Sequence, residues 1–141
     1  MEANGKVELL GEREIRFELL VIDAETGEER PFFTPAGQPQ QLSGAKVDVA
    51  NRRLWVCYSE IQNMVGGVLV FDVDTGARVA SLELARGGIC NDVALAGDGV
   101  AYVTDSFQPV IYRVDLHSGQ AGEFIRDQQM AAPPGQFGLN G

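Results

Sequence analysis

A short apolar run that ends in Asp-x-x-Ser/Thr-Gly occurs three times in this sequence, and this feature constrains the fold most. The three endings are Asp23–Gly27, Asp72–Gly76 and Asp115–Gly119. In such a turn the Asp carboxylate can accept a backbone N–H two residues on, and the Gly takes the left-handed conformation that completes a hairpin. Successive copies begin 49 and 43 residues apart. Among known repeat classes, that spacing is typical of β-propeller blades.

The stretch from Cys90 to Asp115 shows how one repeat folds. Its three apolar runs, 93–95, 100–103 and 110–114, are too short for helices and too close together for parallel crossovers. The glycines of the Ala-Gly-Asp-Gly segment at 96–99 supply the positive φ angles of a tight hairpin. The stretch therefore predicts an antiparallel meander.

A four-stranded unit of this kind can be written twice along the chain, as a propeller blade requires. The first copy is predicted at 45–49, 53–58, 67–73 and 78–84, and the second at 90–95, 100–104, 110–115 and 121–125. Before them lies an incomplete copy, with strands at 7–10, 15–22 and 28–33 and no innermost strand. Residues 35–41 are predicted to link it to the first full copy, and 60–66 to form a loop.

Four segments follow from this division of a single partial propeller domain. Residues 1–42 hold the outer strands of an incomplete blade, 43–86 and 87–127 are full blades, and 128–141 is a linker that ends in Phe137–Gly141, the opening of another inner strand. The sequence thus predicts an all-β fold of about three four-stranded antiparallel blades in an incomplete ring. The alternative is a compact sandwich built from the same meanders.

The composition excludes some functions. With 11 basic and 20 acidic residues the net charge is −9, and no basic cluster is present that could bind a nucleic-acid backbone. No apolar run approaches the roughly 20 residues of a membrane helix, and the acidic N-terminus is unlike a signal peptide. We therefore expect a soluble protein, in the cytoplasm or in a compartment that the sequence does not identify, without nucleic-acid or membrane partners.

The cysteines and the histidine offer little for catalysis. Cys57 and Cys90 each lie in an apolar run, outside any Cys-x-x-Cys motif, and are expected to be small buried hydrophobic residues rather than a disulfide framework. His117 is the only histidine and lies in a turn. With no second histidine, a Ser-His-Asp or zinc site has little to be built from within one chain.

Several segments resemble a known family. Asn91–Leu95, the Gly97–Gly99 turn, Tyr102–Ser106 and Ile111–Asp115 resemble one blade of the senescence-marker/gluconolactonase-like family, the regucalcin-like six-bladed propellers. The motifs at 46–48 and 51–56 are similar to the preceding blade, and 138–141 to the opening of the following one. The resemblance covers roughly residues 43–141, which is about half of such a ring.

The resemblance implies a divalent ion, usually calcium, in a central channel, where Glu, Asn and Asp oxygens hold it and lactones or related esters are hydrolysed. Asn91 matches a channel Asn that binds the ion or the substrate, and Asn140 matches the same place one blade later. Asp92 and Asp105 are further candidate ligands. Lys46, at the matching place of the preceding blade, would repel a cation or bind an anionic substrate. The competing interpretation is that Asn91 and Asp92 only shape a turn.

Two functions stay open at this stage. The first is a calcium-dependent lactone or ester hydrolase centred on Asn91, in which the ion polarises the carbonyl and activates water; no catalytic residue is identified. Neither the family's channel Glu nor its later Asp ligand has a counterpart within these residues. The second is a non-catalytic propeller segment that serves as a binding or structural scaffold, since propeller shape does not imply activity.

The open array also predicts self-association. About three blades leave apolar end faces and unpaired strand edges, which natural proteins normally cover. The N-terminal unit lacks an inner strand and the C-terminus begins one, so a head-to-tail homodimer would complete a six-bladed ring. A truncated fragment that aggregates is the alternative.

Overall fold

A computed structural model describes residues 18–35 and 40–141 of the chain. It contains ten strands: β1 (Leu19–Ile22), β2 (Glu29–Phe33), β3 (Gln41–Asp48), β4 (Arg53–Glu60), β5 (Val65–Asp72), β6 (Arg78–Glu83), β7 (Cys90–Gly97), β8 (Val100–Asp105), β9 (Val110–Asp115) and β10 (Gln120–Arg126). Two 3₁₀ turns, Ile61–Asn63 and Gln128–Met130, are the helical elements of the described ranges. At three residues each, neither could traverse a bilayer.

The strands form three antiparallel sheets in meander order. β1 pairs with β2, and two four-stranded sheets follow, in the orders β3-β4-β5-β6 and β7-β8-β9-β10. We call β3–β6 the first blade and β7–β10 the second blade. The all-β fold with four-stranded, blade-like sheets is thereby confirmed, and within the described residues the ring is not closed.

The predicted strand boundaries agree best with the observed ones in the second blade. β9 matches its prediction at both ends, and the other three strands of that blade begin or end within two residues of theirs. In the first blade the prediction of a loop over 60–66 is wrong, because Val65 pairs with Glu60 and Gly66 with Ser59, so that only a 3₁₀ turn and Met64 separate the strands. β3 also starts earlier than predicted, at Gln41. The strand predicted at 7–10 and the start of the one at 15–22 lie outside the described residues.

The main core lies between the two blades. Buried side chains from one face of each blade pack together, with Trp55, Val68 and Val70 from the first blade and Val103 and Tyr112 from the second each at most 1% exposed. Trp and Tyr bury large apolar areas, so this contact contributes much of the stabilisation. A second cluster joins the opposite face of the first blade to the two-stranded sheet.

The three predicted turns form as the sequence indicates. The carboxylates of Asp23, Asp72 and Asp115 each accept backbone N–H groups two and three residues on, at 2.8–3.2 Å. The glycines that close the turns have φ angles of 69–72°. These bonds, above all those from the N–H groups of Thr26, Thr75 and Ser118, lower the pKa of the three carboxyls.

Cys57 and Cys90 form a disulfide across the two blades, with their Cα atoms 5.3 Å apart. Both are fully buried, as predicted, but the expectation that they stay unpaired is wrong. The physical reason is the stacking of the blades, which brings the middle of β4 against the start of β7. Structural disulfides are typical of oxidising compartments, so the cytoplasmic location stays a prediction.

Candidate functional site at the inner edge of the blades

The innermost strands of the two blades share an irregularity at the predicted site. In β3 the pairing with β4 is interrupted between Leu42 and Ala45, and in β7 the pairing with β8 is interrupted between Cys90 and Val93. The two registers show that Ser43 and Gly44 in the first blade are equivalent to Asn91 and Asp92 in the second. Such bulges redirect side chains and are frequent beside functional sites. We call residues 43, 46, 91, 92 and 140 the inner-edge site.

Close contact between β3 and β7 holds this site together. A Cβ atom on Gly44 would lie 2.1 Å from Asp92 Oδ1 and 2.8 Å from the Asn91 carbonyl oxygen, so only glycine fits. Beside it, the Ser43 hydroxyl donates a hydrogen bond to the Cys90 carbonyl at 2.9 Å. The two inner strands therefore approach each other where the candidate residues stand, and the site is built across the blade boundary.

The C-terminal segment brings a third inner-strand position to the site. Gly138 N–H donates to the Ser106 carbonyl at 2.7 Å, and the Ser106 hydroxyl donates to the Leu139 carbonyl at 2.9 Å. The Asn91 amide oxygen accepts from Gly141 N–H at 3.2 Å. Residues 137–141 form no strand ladder, but they lie where the next inner strand of the repeat would start. Asn140 thus directly precedes the residue, Gly141, that contacts Asn91.

Asp92 and Lys46 lie at the partly exposed part of the site. Lys46 Nζ lies 4.0 Å from Asp92 Oδ2, and their side chains are 51% and 26% exposed. Asp92 Oδ1 accepts from Val93 N–H at 2.8 Å, while Asp92 N–H donates to the Thr104 hydroxyl at 3.2 Å. A lysine beside the carboxylate compensates its charge, so a cation would have to bind Asp92 in competition with Lys46.

Asp105 has a different environment from the other candidates. It is 1% exposed, and its Oδ1 accepts backbone N–H groups of Ile89, Phe107 and Gln108 at 2.9–3.2 Å. Its Oδ2 has no hydrogen-bond partner in the part of the chain that the structure describes. These bonds tie the connection before β7 to the connection after β8. The structure therefore places Asp105 as a tether of two loops, and a metal role for it stays a prediction.

Two serines, one in the inner-edge site and one beside it, were not predicted from the sequence. The prediction placed Lys46 at the position that matches Asn91, whereas in the strand registers Ser43 holds that position. Ser59, 3% exposed, accepts from Cys90 N–H at 3.1 Å. The Ser59 hydroxyl also lies 3.4 Å from the Cys90 carbonyl, to which it donates, as the Ser106 hydroxyl donates to the Leu139 carbonyl. Its signal in the sequence is its place in the repeat, 47 residues before Ser106.

The polar groups of the inner-edge site are better suited to hydrogen bonds with backbone and ligand than to enclosing a metal ion. In ranges 18–35 and 40–141, no group of three or more His, Cys, Asp or Glu side chains lies close enough to hold a metal ion. Ca²⁺ takes six to eight oxygen ligands. The residues offered here are the amides of Asn91 and Asn140 and the carboxylate of Asp92, with water free to complete a shell at an exposed edge.

Neither a family model nor a curated protein matches this chain. The resemblance to regucalcin-like propellers therefore remains an expectation from the motifs.

Proposed function

We propose that this chain is a non-catalytic propeller segment that acts as a binding or structural scaffold. One observation carries the proposal: polar side chains at the inner edge, of which Ser59, Asp105 and Ser106 are buried, hold the backbone of neighbouring strands. Ser43 and Ser59 bond the backbone of Cys90, Ser106 bonds that of Leu139, and Asp105 bonds three amides. Serine hydroxyls that are hydrogen-bonded to backbone in this way position the strands and are not free to act as nucleophiles.

The exposed part of the inner edge supports a binding role for the scaffold. The side chains of Lys46 and Asp92 are solvent-accessible there, and Asn91 has amide donors beyond the oxygen that accepts from Gly141. Together these groups offer donors and acceptors for a small polar ligand. Such a ligand would contact two inner strands at once and would stabilise their relative placement.

Metal-assisted hydrolysis of a lactone or ester is the second candidate. The contact between Gly141 N–H and the Asn91 amide oxygen favours it, since it brings Asn91 and Asn140 to one edge as a shared calcium site requires. Both amides, with Asp92, are oxygen donors of the kind that Ca²⁺ prefers. A bound ion would supply Lewis-acid polarisation of a carbonyl and an activated water.

Calcium titration followed by thermal melting separates the two candidates. A site that holds calcium adds about 2.7 kcal/mol of stability at 100 times the dissociation constant. For a scaffold we expect no shift of Tm with calcium, and the same response in wild type, Asn91→Ala and the control Asn63→Ala, which removes an exposed amide far along the chain. A calcium-dependent rise of Tm that Asn91→Ala abolishes and Asn63→Ala retains would overturn the scaffold proposal.

A hydrolysis assay provides the second arm. Wild type and Asn91→Ala are incubated with a simple γ- or δ-lactone and an aryl ester, with calcium and with chelator. The scaffold proposal expects no difference between the two proteins, or between calcium and chelator, with either substrate. Turnover that needs both calcium and Asn91 would establish the hydrolase instead.

A further inference from the structure

The inner-edge site contains an asparagine that is followed by a glycine, Asn140 and Gly141. Asn140 is exposed to solvent, and Gly141 has no Cβ that could shield its backbone nitrogen. In such a pair the glycine nitrogen can reach the side-chain amide carbon of the asparagine and close a cyclic imide with it. Asn140 therefore combines the two features, exposure and a following glycine, that favour deamidation.

Deamidation of such a pair needs only water and hydroxide. The Gly141 nitrogen, once hydroxide has removed its proton, attacks the Asn140 Cγ. The bond from Cγ to the side-chain nitrogen breaks, and that nitrogen takes a proton from water and leaves as ammonia. Water then opens the cyclic imide at either of its carbonyls, which gives aspartate or isoaspartate at position 140.

A hydrogen bond of the inner-edge site engages the attacking nitrogen. The Gly141 N–H donates to the Asn91 amide oxygen at 3.2 Å. On the other side of Asn140, the Ser106 hydroxyl donates to the Leu139 carbonyl at 2.9 Å, so the backbone is held both before and after the asparagine. The acceptor on Asn91 is a neutral amide oxygen, which stabilises the protonated form of the nitrogen and does not remove its proton. The contact should slow the first step, because the nitrogen must leave Asn91 before it can attack.

We propose that Asn140 is a site of spontaneous deamidation and that the hydrogen bond from Gly141 to Asn91 slows the reaction. The product adds a carboxylate to the inner-edge site, which already contains that of Asp92 beside Lys46. The isoaspartate form also lengthens the backbone by a methylene group, which should displace the Gly141 N–H from Asn91. Deamidation thus makes the inner-edge site more acidic, whatever ligand this site binds.

Peptide mapping by mass spectrometry tests the proposal on the whole chain, during incubation at mildly alkaline pH. Deamidation is detected as replacement of the Asn140 amide nitrogen by oxygen. We expect Asn91→Ala to deamidate at Asn140 roughly two- to tenfold faster than the wild type, the factor that corresponds to one hydrogen bond. Asn4, which also precedes a glycine and lies outside the described residues, reports the chemical conditions in each sample.

Two further variants separate the hydrogen bond from a general loosening of the fold. Asn91→Asp keeps an acceptor oxygen and should retain the slow rate. Asn63→Ala removes an exposed amide elsewhere and should match the wild type. Circular dichroism verifies that each variant folds, and wild type unfolded in urea, which loses the contact altogether, should react at Asn140 at least as fast as Asn91→Ala.

Three results would overturn the proposal. The first is an equal Asn140 rate in the folded wild type and Asn91→Ala. The second is a fast rate in Asn91→Asp as well, since the acceptor oxygen would then not be what slows the reaction. The third is an Asn140 that stays intact in every variant and in urea while Asn4 is converted.

Discussion

Ser59 and Ser106 occupy the same position in successive blades, and each binds the backbone at the start of the following inner strand. Ser59 Oγ accepts from Cys90 N–H at 3.1 Å, and Ser106 Oγ donates to the Leu139 carbonyl at 2.9 Å. The serines are 3% and 1% exposed. A buried hydroxyl at the end of the second strand of each blade therefore fixes where the next inner strand begins.

Replacement of Ser59 by alanine should destabilise the protein. It leaves the Cys90 N–H without its partner in a buried setting, which costs about 1–3 kcal/mol. Urea unfolding of Ser59→Ala and of the control Ser118→Ala, at an exposed turn, measures the difference. Equal stability of the two variants would show that the serine does not act as a clamp.

The disulfide should contribute more than any single hydrogen bond. Cys57 and Cys90 are 33 residues apart, and closing a loop of that length restricts the unfolded chain by roughly 3–4 kcal/mol. We expect the double variant Cys57→Ala/Cys90→Ala to lose stability of that order. Addition of reductant under unfolding conditions should weaken the wild type and leave the variant unchanged. A titration that finds two free thiols in the unfolded, unreduced wild type would contradict the disulfide.

Gly44 should tolerate no side chain. Its Cβ would overlap the Cα of Asp92 and the carbonyl oxygen of Asn91, and backbone atoms cannot move aside as a flexible side chain can. Overpacking of this kind typically costs 1–3 kcal/mol. Gly122 is the matched control, since it is also in a strand but a Cβ there would meet no atom within 4 Å. Gly44→Ala should lower the urea midpoint, whereas Gly122→Ala should leave it unchanged or raise it.

Local patterns in the sequence account for most of the fold. The Asp-x-x-Ser/Thr-Gly turns form from contacts within five residues. The conformations of Asp72 and Gly76 could therefore be predicted from the sequence. The meander at 90–115 likewise depends on neighbouring strands. The prediction of a loop over 60–66 is wrong because Gly66 and Gly67 are typical of a turn locally, while Val65 and Gly66 pair with Glu60 and Ser59 of the preceding strand.

The site could be predicted only as positions in a repeat. The prediction of Asn91 comes from the resemblance of its motif to a family, and the structure brings Gly141 to its side chain. The disulfide escaped because Cys57 and Cys90 meet only when one blade stacks on the next, and no spacing rule encodes that contact. Ser59 was missed for the same reason, since its partner is the backbone of a residue 31 positions away.

Acid should weaken the three aspartate turns together. The folded-state pKa values of Asp23, Asp72 and Asp115 are lowered, chiefly by backbone hydrogen bonds. A lowered folded pKa gives stability that is present above the unfolded value of about 3.9 and is lost as the pH falls through the folded value. Asp72→Asn, which keeps the acceptor and removes the charge, should be less stable than the wild type at pH 7. The difference should vanish toward pH 2.

Unfolding midpoints across this pH range supply the measurement. Glu25→Gln removes one exposed charge from the first of these turns and provides the control. A difference between Asp72→Asn and wild type that stays constant from pH 7 to pH 2 would show that the charge is not the source of the effect.

A second disulfide can be installed one step along the repeat. Thr104 is the repeat equivalent of Cys57, because it follows Cys57 by the same 47 residues that separate Ser59 and Ser106. Leu139 is the equivalent of Cys90, because it follows Cys90 by the same 49 residues that separate Asn91 and Asn140. If residues 137–141 occupy the inner-strand position, Thr104→Cys with Leu139→Cys should oxidise to a disulfide, because the serine contact beside it holds the segment in place.

Thiol titration of the unfolded, unreduced protein should then find no free thiol. Thr104→Cys with Phe137→Cys, whose ring stacks on Phe107 instead, should keep two. Free thiols in both variants after mild oxidation would show that the C-terminal segment does not begin a further blade.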